Sequence, residues 1–251
     1  MNELPGWFPR RAPWLMLLAR TALFALYQTL IAAVFWLLGE PEPWARSVAW
    51  WPLAAIFANA DTFALLWLAA RDEGIRVWRL YGFDRRSVGR DLLWLLGAML
   101  IAGPLAYFPN VWLAEALFDD PATPVTIMFQ TLPPWMLWTA LLLFPLTIAL
   151  TELPAYYGYA MPRIRSQVGR VWWVPLLVGT AHALQHVTLP LVFDPAFILW
   201  RFGMFLPFAV FLGYVIDRRP SLLPYLMVAH GLLDLQLPIM LFMVASGNQP
   251  W

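Results

Sequence analysis

Two pairs of ionisable residues lie four positions apart inside apolar stretches of this sequence. One pair is His182 and His186, and the other is His230 and Asp234. Residues spaced by four share one face of a helix, so the members of each pair can act together. A single acid, Glu152, lies in a third apolar stretch. Three segments of the C-terminal half therefore carry the groups that a reactive site needs.

This combination of groups is suited to two kinds of hydrolytic chemistry. A carboxylate and imidazoles can deprotonate a water and position it for attack on a carbonyl. Alternatively, Glu152, His182, His186 and His230 could bind zinc, with one position left open for a water of lowered pKa. Two histidines four apart are a weak signal alone, because a single histidine often makes only a structural hydrogen bond.

The composition indicates the solvent in which these groups lie. Hydrophobic residues make up 61% of the 251 residues and charged residues 12%, and the mean hydropathy is +0.64. These values favour an integral membrane protein over a large soluble helical core. The net charge of +1 argues against nucleic-acid binding. Cysteine is absent, which excludes disulfides and thiolate chemistry.

Apolar segments of about 20 residues predict an all-α, multi-pass bundle of about seven transmembrane helices, with six to eight as the range. The whole chain, 1–251, is expected to form a single membrane domain with its catalytic helices in the C-terminal half. The predicted spans are 13–38, 46–70, 91–117, 134–162, 171–192, 197–216 and 221–246.

Loop charges predict the orientation. Arginines cluster in alternate loops: Arg10, Arg11, Arg71, Arg76, Arg79, Arg85, Arg86, Arg90, Arg163, Arg165, Arg170, Arg218 and Arg219. The opposite loops are acidic, with Arg46 and Arg201 as their only expected positive charges. The positive-inside rule therefore predicts a cytoplasmic N-terminus in the cell membrane. The polar stretch 71–90 is expected to be a cytoplasmic loop or interfacial helix with Trp78 and Tyr81 at headgroup level.

Ionisable groups within a bilayer are costly and therefore point to function. Glu152, His182 and His230 are each expected roughly ten residues from a cytoplasmic arginine, at one depth, with His186 and Asp234 one turn deeper. Arg20 is expected to extend towards the headgroups as a structural residue. Asp61 is expected to pair with Arg20 or with a hydroxyl.

Three motifs resemble those of the CPBP (CAAX protease and bacteriocin-processing) family of intramembrane proteases. Residues 151–163, TELPAYYGYAMPR, resemble the family pattern T-E-E-L-G-W-R-G-Y-x-x-P-R. His186 corresponds to the histidine of the motif FxxxH, with His182 where Phe is usual. His230 and Asp234 correspond to the motif HxxxN or HxxxD. The resemblance covers roughly residues 75–246.

The resemblance implies an endopeptidase in which Glu152 and His186 activate water while His230 and Asp234 orient water or polarise the scissile carbonyl. Two positions depart from the pattern: Leu153 replaces the second Glu, and Tyr157 replaces the Arg. Because one negative and one positive residue of the pattern are both absent, the net charge of the motif is unchanged. His182 and Tyr157 are expected to support the site, with His182 reaching Glu152 or a metal.

The expected function is hydrolysis of a peptide bond in a membrane-associated protein or peptide, with membrane lipid as the surroundings. No cofactor is expected, although zinc is the alternative. A membrane scaffold or bacteriocin-immunity protein that has lost the chemistry is a second hypothesis, since Leu153 and Tyr157 depart from the motif. A transporter or proton relay is a third, although no internal repeat supports it.

Overall fold

The computed structural model describes residues 7–169 and 171–248, so Arg170 lies outside the described residues. These residues are all-α, apart from one isolated bridge between Thr188 and Leu191. The helices are α1 (Trp7–Leu37), α2 (Pro43–Val48), α3 (Trp51–Asp72), α4 (Val88–Leu117), α5 (Thr123–Met128), α6 (Pro134–Leu153), α7 (Met161–Val168), α8 (Trp173–Gln185), α9 (Pro195–Arg218), α10 (Leu223–Asp234) and α11 (Gln236–Ala245). A π-helical stretch, Pro154–Ala160, joins α6 to α7.

The predicted multi-pass helical bundle is confirmed, and the chain is an integral membrane protein. Within the described residues, six helical segments are long and apolar enough to cross a membrane: Arg10–Leu37, Trp51–Asp72, Val77–Leu117, Pro134–Val168, Pro195–Arg218 and Pro220–Ala245. They correspond to six of the seven predicted spans.

The fifth predicted span, 171–192, is different. Its helix, α8, has 13 residues, which is about 20 Å at helical rise against a hydrocarbon thickness of about 30 Å. The remainder of the segment is non-helical up to Pro195. The fifth predicted span is therefore a short helix followed by irregular backbone, and it is not among the six helical segments long enough to cross a membrane.

Two glycines allow α8 to pack closely against α9. A Cβ on Gly179 would lie 2.6 Å from the Cα of Val210, and one on Gly213 would lie 2.7 Å from the carbonyl oxygen of Pro175. Small residues let membrane helices approach at backbone distance. The contacts run antiparallel and place the end of α8 deep in the bundle.

Side chains from other helices form hydrogen bonds with the backbone polar groups of the irregular segment after α8. Arg201 donates from Nε to His186 O at 3.2 Å and from Nη2 to Leu189 O at 2.5 Å. Gln28 both donates to and accepts from the Leu191 backbone, at 2.9 and 2.7 Å. Non-helical backbone at membrane depth needs such partners because no water can supply them. The expectation that Arg201 lies in an outer loop is wrong: it belongs to α9 and is 6% exposed.

The π-helical stretch follows from Pro154. Proline has no backbone N–H, so the carbonyl of Leu150 loses its normal helical donor. The Tyr81 hydroxyl donates to that carbonyl at 3.2 Å. A Cβ on Gly158 would lie 2.6 Å from Leu80 O, so the 3₁₀ turn Val77–Tyr81 packs directly on the stretch. Tyr81 is therefore buried against the protein, whereas Trp78 is exposed.

We expect Arg201→Met to lower the midpoint of thermal unfolding in detergent by about 5 °C or more. The change removes the charged donors to the carbonyls of His186 and Leu189, and each such hydrogen bond stabilises by about 1.5–3 kcal/mol. The matched control is Arg218→Met, because Arg218 is exposed at the end of the same helix. Equal shifts in the two variants would contradict this account of the irregular segment.

Candidate functional site

The site is built around the Glu152 carboxylate, in the last turn of α6. Glu152 is 1% exposed. Its Oε1 lies 2.8 Å from Nε2 of His182 in α8 and 2.9 Å from Nε2 of His230 in α10. Its Oε2 accepts from Nη2 of Arg20 in α1 at 3.3 Å. Four helices therefore converge on one buried carboxylate.

Arg20 is part of this site, and the expectation that it extends to the headgroups is wrong. Its side chain is 0% exposed. Besides Glu152, its guanidinium donates to Gln185 Oε1 at 2.7 Å, to Thr151 Oγ1 at 3.2 Å and to Thr62 Oγ1 at 3.4 Å. A buried guanidinium with an acid and three further acceptors is more stable than one without them. This set of partners explains why Arg20 turns inwards.

Hydrogen-bond geometry determines the donor nitrogen of His182. The Tyr157 hydroxyl lies 2.8 Å from Ala209 O and 2.9 Å from His182 Nδ1. A carbonyl oxygen only accepts, so the hydroxyl donates its proton to Ala209 and accepts from His182 Nδ1. The contact between His182 Nε2 and Glu152 Oε1 then needs one further proton, on the imidazole or on the carboxyl group. His182 and Glu152 therefore share a proton.

His182 is held rigidly between aromatic rings. Tyr156 stacks on it with ring centroids 5.0 Å apart at 25°, and Tyr157 meets it edge-on at 5.5 Å. Both tyrosines come from the π-helical stretch, which thus positions His182 as well as Glu152. Fixed geometry is what a reactive group needs.

His186 is the first residue beyond α8. Its Nδ1 donates to His182 O at 3.1 Å, which leaves Nε2 of the neutral ring as an acceptor. Its ring stacks on Phe205 with centroids 3.6 Å apart at 16°. His186 makes no hydrogen bond to Glu152 among the described residues, but ligand atoms of Glu152, His182 and His186 all lie within 4.8 Å of one another.

His230 and Asp234 form the more accessible side of the site, and each side chain is 15% exposed. Their Nε2 and Oδ2 atoms lie 3.4 Å apart. Neither atom makes an aligned hydrogen bond to any residue that the structure describes, although His230 Nε2 lies 2.9 Å from Glu152. These two buried polar atoms are therefore available to a further group.

The donor set is also chemically suited to a metal. Glu152, His182 and His186 together offer one carboxylate oxygen and two ring nitrogens, and each histidine donates from Nδ1 to a protein oxygen, as metal-ligating histidines do. The separations of 2.8 and 2.9 Å around Glu152 Oε1 are hydrogen-bond lengths. Tetrahedral zinc ligands at 2.0–2.1 Å from the metal would be separated by about 3.3 Å, so the arrangement fits a shared proton more closely than zinc.

The structure brings together most of the residues that the sequence singles out. Glu152, His182 and His230 are in direct contact, with His186 and Asp234 next to them. Leu153 instead packs in the apolar core at 1% exposure. The sequence pattern did not predict roles for Thr151 and Gln185, which bind Arg20; their position next to Glu152 and His186 was the one available signal.

Asp61 lies apart from the site. Its Oδ2 accepts from the Tyr27 hydroxyl at 2.5 Å, so the expected pairing with a hydroxyl is confirmed. It does not pair with Arg20, whose acid partner among the described residues is Glu152. Asp61 is therefore a suitable control for the effect of removing an intramembrane carboxylate.

We expect Arg20→Met to destabilise the protein by about 3–5 kcal/mol, because it leaves a buried carboxylate without its guanidinium. The double variant Arg20→Met/Glu152→Gln should recover part of this loss, since the uncompensated charge is then also removed. Unfolding of the parent, both single variants and the double variant in detergent measures the coupling. Additive losses would contradict a direct interaction between Arg20 and Glu152.

Comparison of the chain with protein-family models, with curated proteins and with solved structures gave no match.

Proposed function

We propose that this chain is an intramembrane endopeptidase of the CPBP type, which hydrolyses a peptide bond in a membrane-associated protein or peptide. The observation that carries the proposal is the meeting of Glu152 Oε1 with His182 Nε2 and His230 Nε2 at 2.8 and 2.9 Å inside a membrane-spanning bundle. Ionisable groups are expensive in a membrane, and groups gathered from separate helices favour a reactive role over a structural one.

Water activation is assigned to Glu152 and His186. A water that makes two hydrogen bonds of about 2.8 Å spans about 4.6 Å between its partners, and the ligand atoms of these residues lie within 4.8 Å. With the shared proton on His182, the ionised Glu152 carboxylate takes one proton from the water as the water oxygen bonds to the carbonyl carbon. The carbonyl π electrons move to oxygen, and a tetrahedral oxyanion forms.

Collapse of the oxyanion completes the reaction. The C–N bond breaks, and the leaving nitrogen takes the proton that Glu152 received from water. The products are a carboxylic acid and an amine, and Glu152 returns to its initial state. Arg20 on Oε2 keeps the carboxylate paired throughout, so Oε1 is the oxygen that exchanges protons.

His230 is the proposed donor to the oxyanion. Its Nε2 lies close to two carboxylates, at 2.9 Å from Glu152 and 3.4 Å from Asp234, which favours a proton on that nitrogen. No described residue accepts this proton in an aligned hydrogen bond. An ionised Asp234 has no proton to donate, so its role is to position His230.

The departures from the family pattern are compatible with an active site. Tyr157 occupies the position of the motif arginine, but Arg20 of α1 supplies a guanidinium to Glu152 Oε2. Tyr157 orients His182, and His182 contacts the carboxylate directly. The charge that Glu152 needs is thus present, although it comes from another part of the chain.

The proposed setting is the cell membrane with the N-terminus in the cytoplasm, which follows from the distribution of arginines between loops. The substrate is expected to approach from the side of His230 and Asp234, the partly exposed members of the site. A membrane-associated substrate then does not have to leave the lipid before cleavage.

We expect Glu152→Gln to lower the rate of reporter cleavage by about 10²–10⁴-fold, because an amide cannot take a proton from water. His186→Ala should also lose most activity. The matched control is Asp61→Asn, which removes an intramembrane carboxylate outside the site and should cleave like the parent. The measurement is cleavage of membrane-anchored peptides, selected in a screen with the purified parent protein.

Other outcomes favour the other hypotheses. A cellular phenotype that persists in Glu152→Gln and His230→Ala favours a scaffold or immunity protein. The departures from the motif at Leu153 and Tyr157 motivate this alternative. Solute uptake in proteoliposomes that depends on Asp61 favours a transporter. Equal cleavage by the parent and Glu152→Gln would contradict the proposed endopeptidase.

We also expect activity without a bound metal, since the separations around Glu152 Oε1 fit a proton more closely than zinc. Purified protein treated with a chelator should keep its cleavage rate, and metal analysis should show much less than one zinc per chain. His182→Phe, which introduces the usual family residue, should keep measurable cleavage. Stoichiometric zinc that is lost together with activity in His182→Ala would contradict this mechanism.

A further inference from the structure

A groove lies at the end of α3, away from the candidate site. It has a volume of about 610 Å³ and lies between the last turns of α3 and the 3₁₀ turn Val77–Tyr81. A second hollow of about 650 Å³ adjoins it through Arg76 and Trp78. Both volumes are in the range of small-molecule binding sites.

The α3 wall of the groove is a stripe with a four-residue spacing. Phe63, Trp67 and Arg71 line the groove, and residues four apart lie above one another on a helix. The guanidinium of Arg71 lies 5.4 Å from the ring centroid of Trp67. The wall therefore changes from aromatic within the predicted span to cationic at its end.

The cations along this groove are not neutralised by the protein. Arg71, Arg76 and Arg79 are exposed, and none forms an ion pair with any carboxylate in the described part of the chain. Glu73 follows Arg71 closely but pairs with Arg163. Asp72 is exposed on the last turn of α3 but does not line the groove.

The position of the groove identifies the kind of ligand. Because α3 is long and apolar enough to span a membrane and ends at Asp72, its last turn lies where hydrocarbon gives way to headgroups. Trp78 is 58% exposed beside it, as aromatic residues at membrane interfaces are. A ligand here meets apolar rings on the membrane side and guanidinium groups on the water side.

We propose that this groove binds an anionic phospholipid, with its phosphate between Arg71 and Arg76 and an acyl chain along Phe63 and Trp67. Unpaired guanidinium groups complement a phosphate, which they can bind through two parallel hydrogen bonds. The aromatic stripe lies within the span, where an acyl chain is present and a soluble acidic peptide is not. This inference goes beyond the proposed function and uses none of its catalytic residues.

The test compares lipid binding by the parent and by two double variants with the same charge change. Arg71→Gln/Arg76→Gln alters the groove, whereas Arg85→Gln/Arg86→Gln alters two exposed arginines of the same polar stretch outside it. Delipidated protein is titrated with phosphatidylglycerol or phosphatidylcholine in detergent, and bound lipid is counted by native mass spectrometry. Thermal unfolding in detergent alone checks that each variant is folded.

We expect the parent and the Arg85/Arg86 variant to bind phosphatidylglycerol alike and more tightly than phosphatidylcholine. The groove variant should bind phosphatidylglycerol about tenfold or more weakly, since it lacks two of the guanidinium groups that attract the anionic headgroup. Trp67→Ala should weaken the binding of phosphatidylglycerol, because the acyl chain loses an apolar contact in the groove.

Three results would overturn the proposal. Equal weakening in both double variants would show attraction by overall charge and no defined site. Equal binding of the two lipids by the parent would show that the groove does not select an anion. Displacement of the lipid by millimolar inorganic phosphate or by an acidic peptide would assign the groove to a water-soluble anion.

Discussion

A carboxylate buried inside a membrane protein requires compensation, and Glu152 obtains it from three other helices. Arg20 contacts one oxygen at 3.3 Å, and His182 and His230 contact the other at 2.8 and 2.9 Å. Removing any partner from such a set leaves charge uncompensated where the dielectric is low. The requirement determines which faces of α1, α8 and α10 turn towards α6. It also explains why Arg20 forms hydrogen bonds with Gln185, Thr151 and Thr62 and does not reach the headgroups.

The same region contains backbone that departs from the regular α-helix. Pro154 begins a π-helical stretch two residues after Glu152, and α8 ends at Gln185, one residue before His186. Both departures leave backbone carbonyls without helical donors, and side chains of Tyr81 and Arg201 supply them. Irregular backbone at membrane depth occurs where protein or a polar cavity replaces lipid. In this chain it places two tyrosines around His182 and presents the His186 ring to the site.

The groups around Glu152 come from near and from distant parts of the chain. Tyr157 lies in the π-helical stretch that follows α6, and its hydroxyl links Ala209 O to His182 Nδ1. The guanidinium that accompanies Glu152 comes from α1. Local motif comparison cannot detect that Arg20 belongs to this cluster, because contact in space does not require nearness in the sequence.

The sequence by itself determined the class of fold and predicted most of the residues that come together around Glu152. Composition and the length of apolar segments predict a multi-pass helical bundle because the bilayer demands helices of about 20 apolar residues. The motifs around Glu152, His186 and His230 predict which residues meet, and the four-residue spacing predicts that His182 lies on the same face as His186. Only the tertiary structure decided that Arg20 belongs to the site, that Arg201 caps an irregular segment, and that the fifth segment is a 13-residue helix followed by turns. Hydropathy reports the average environment of a segment. These three outcomes depend instead on which polar groups from distant segments form hydrogen bonds with one another, and the packing of the helices determines those partners.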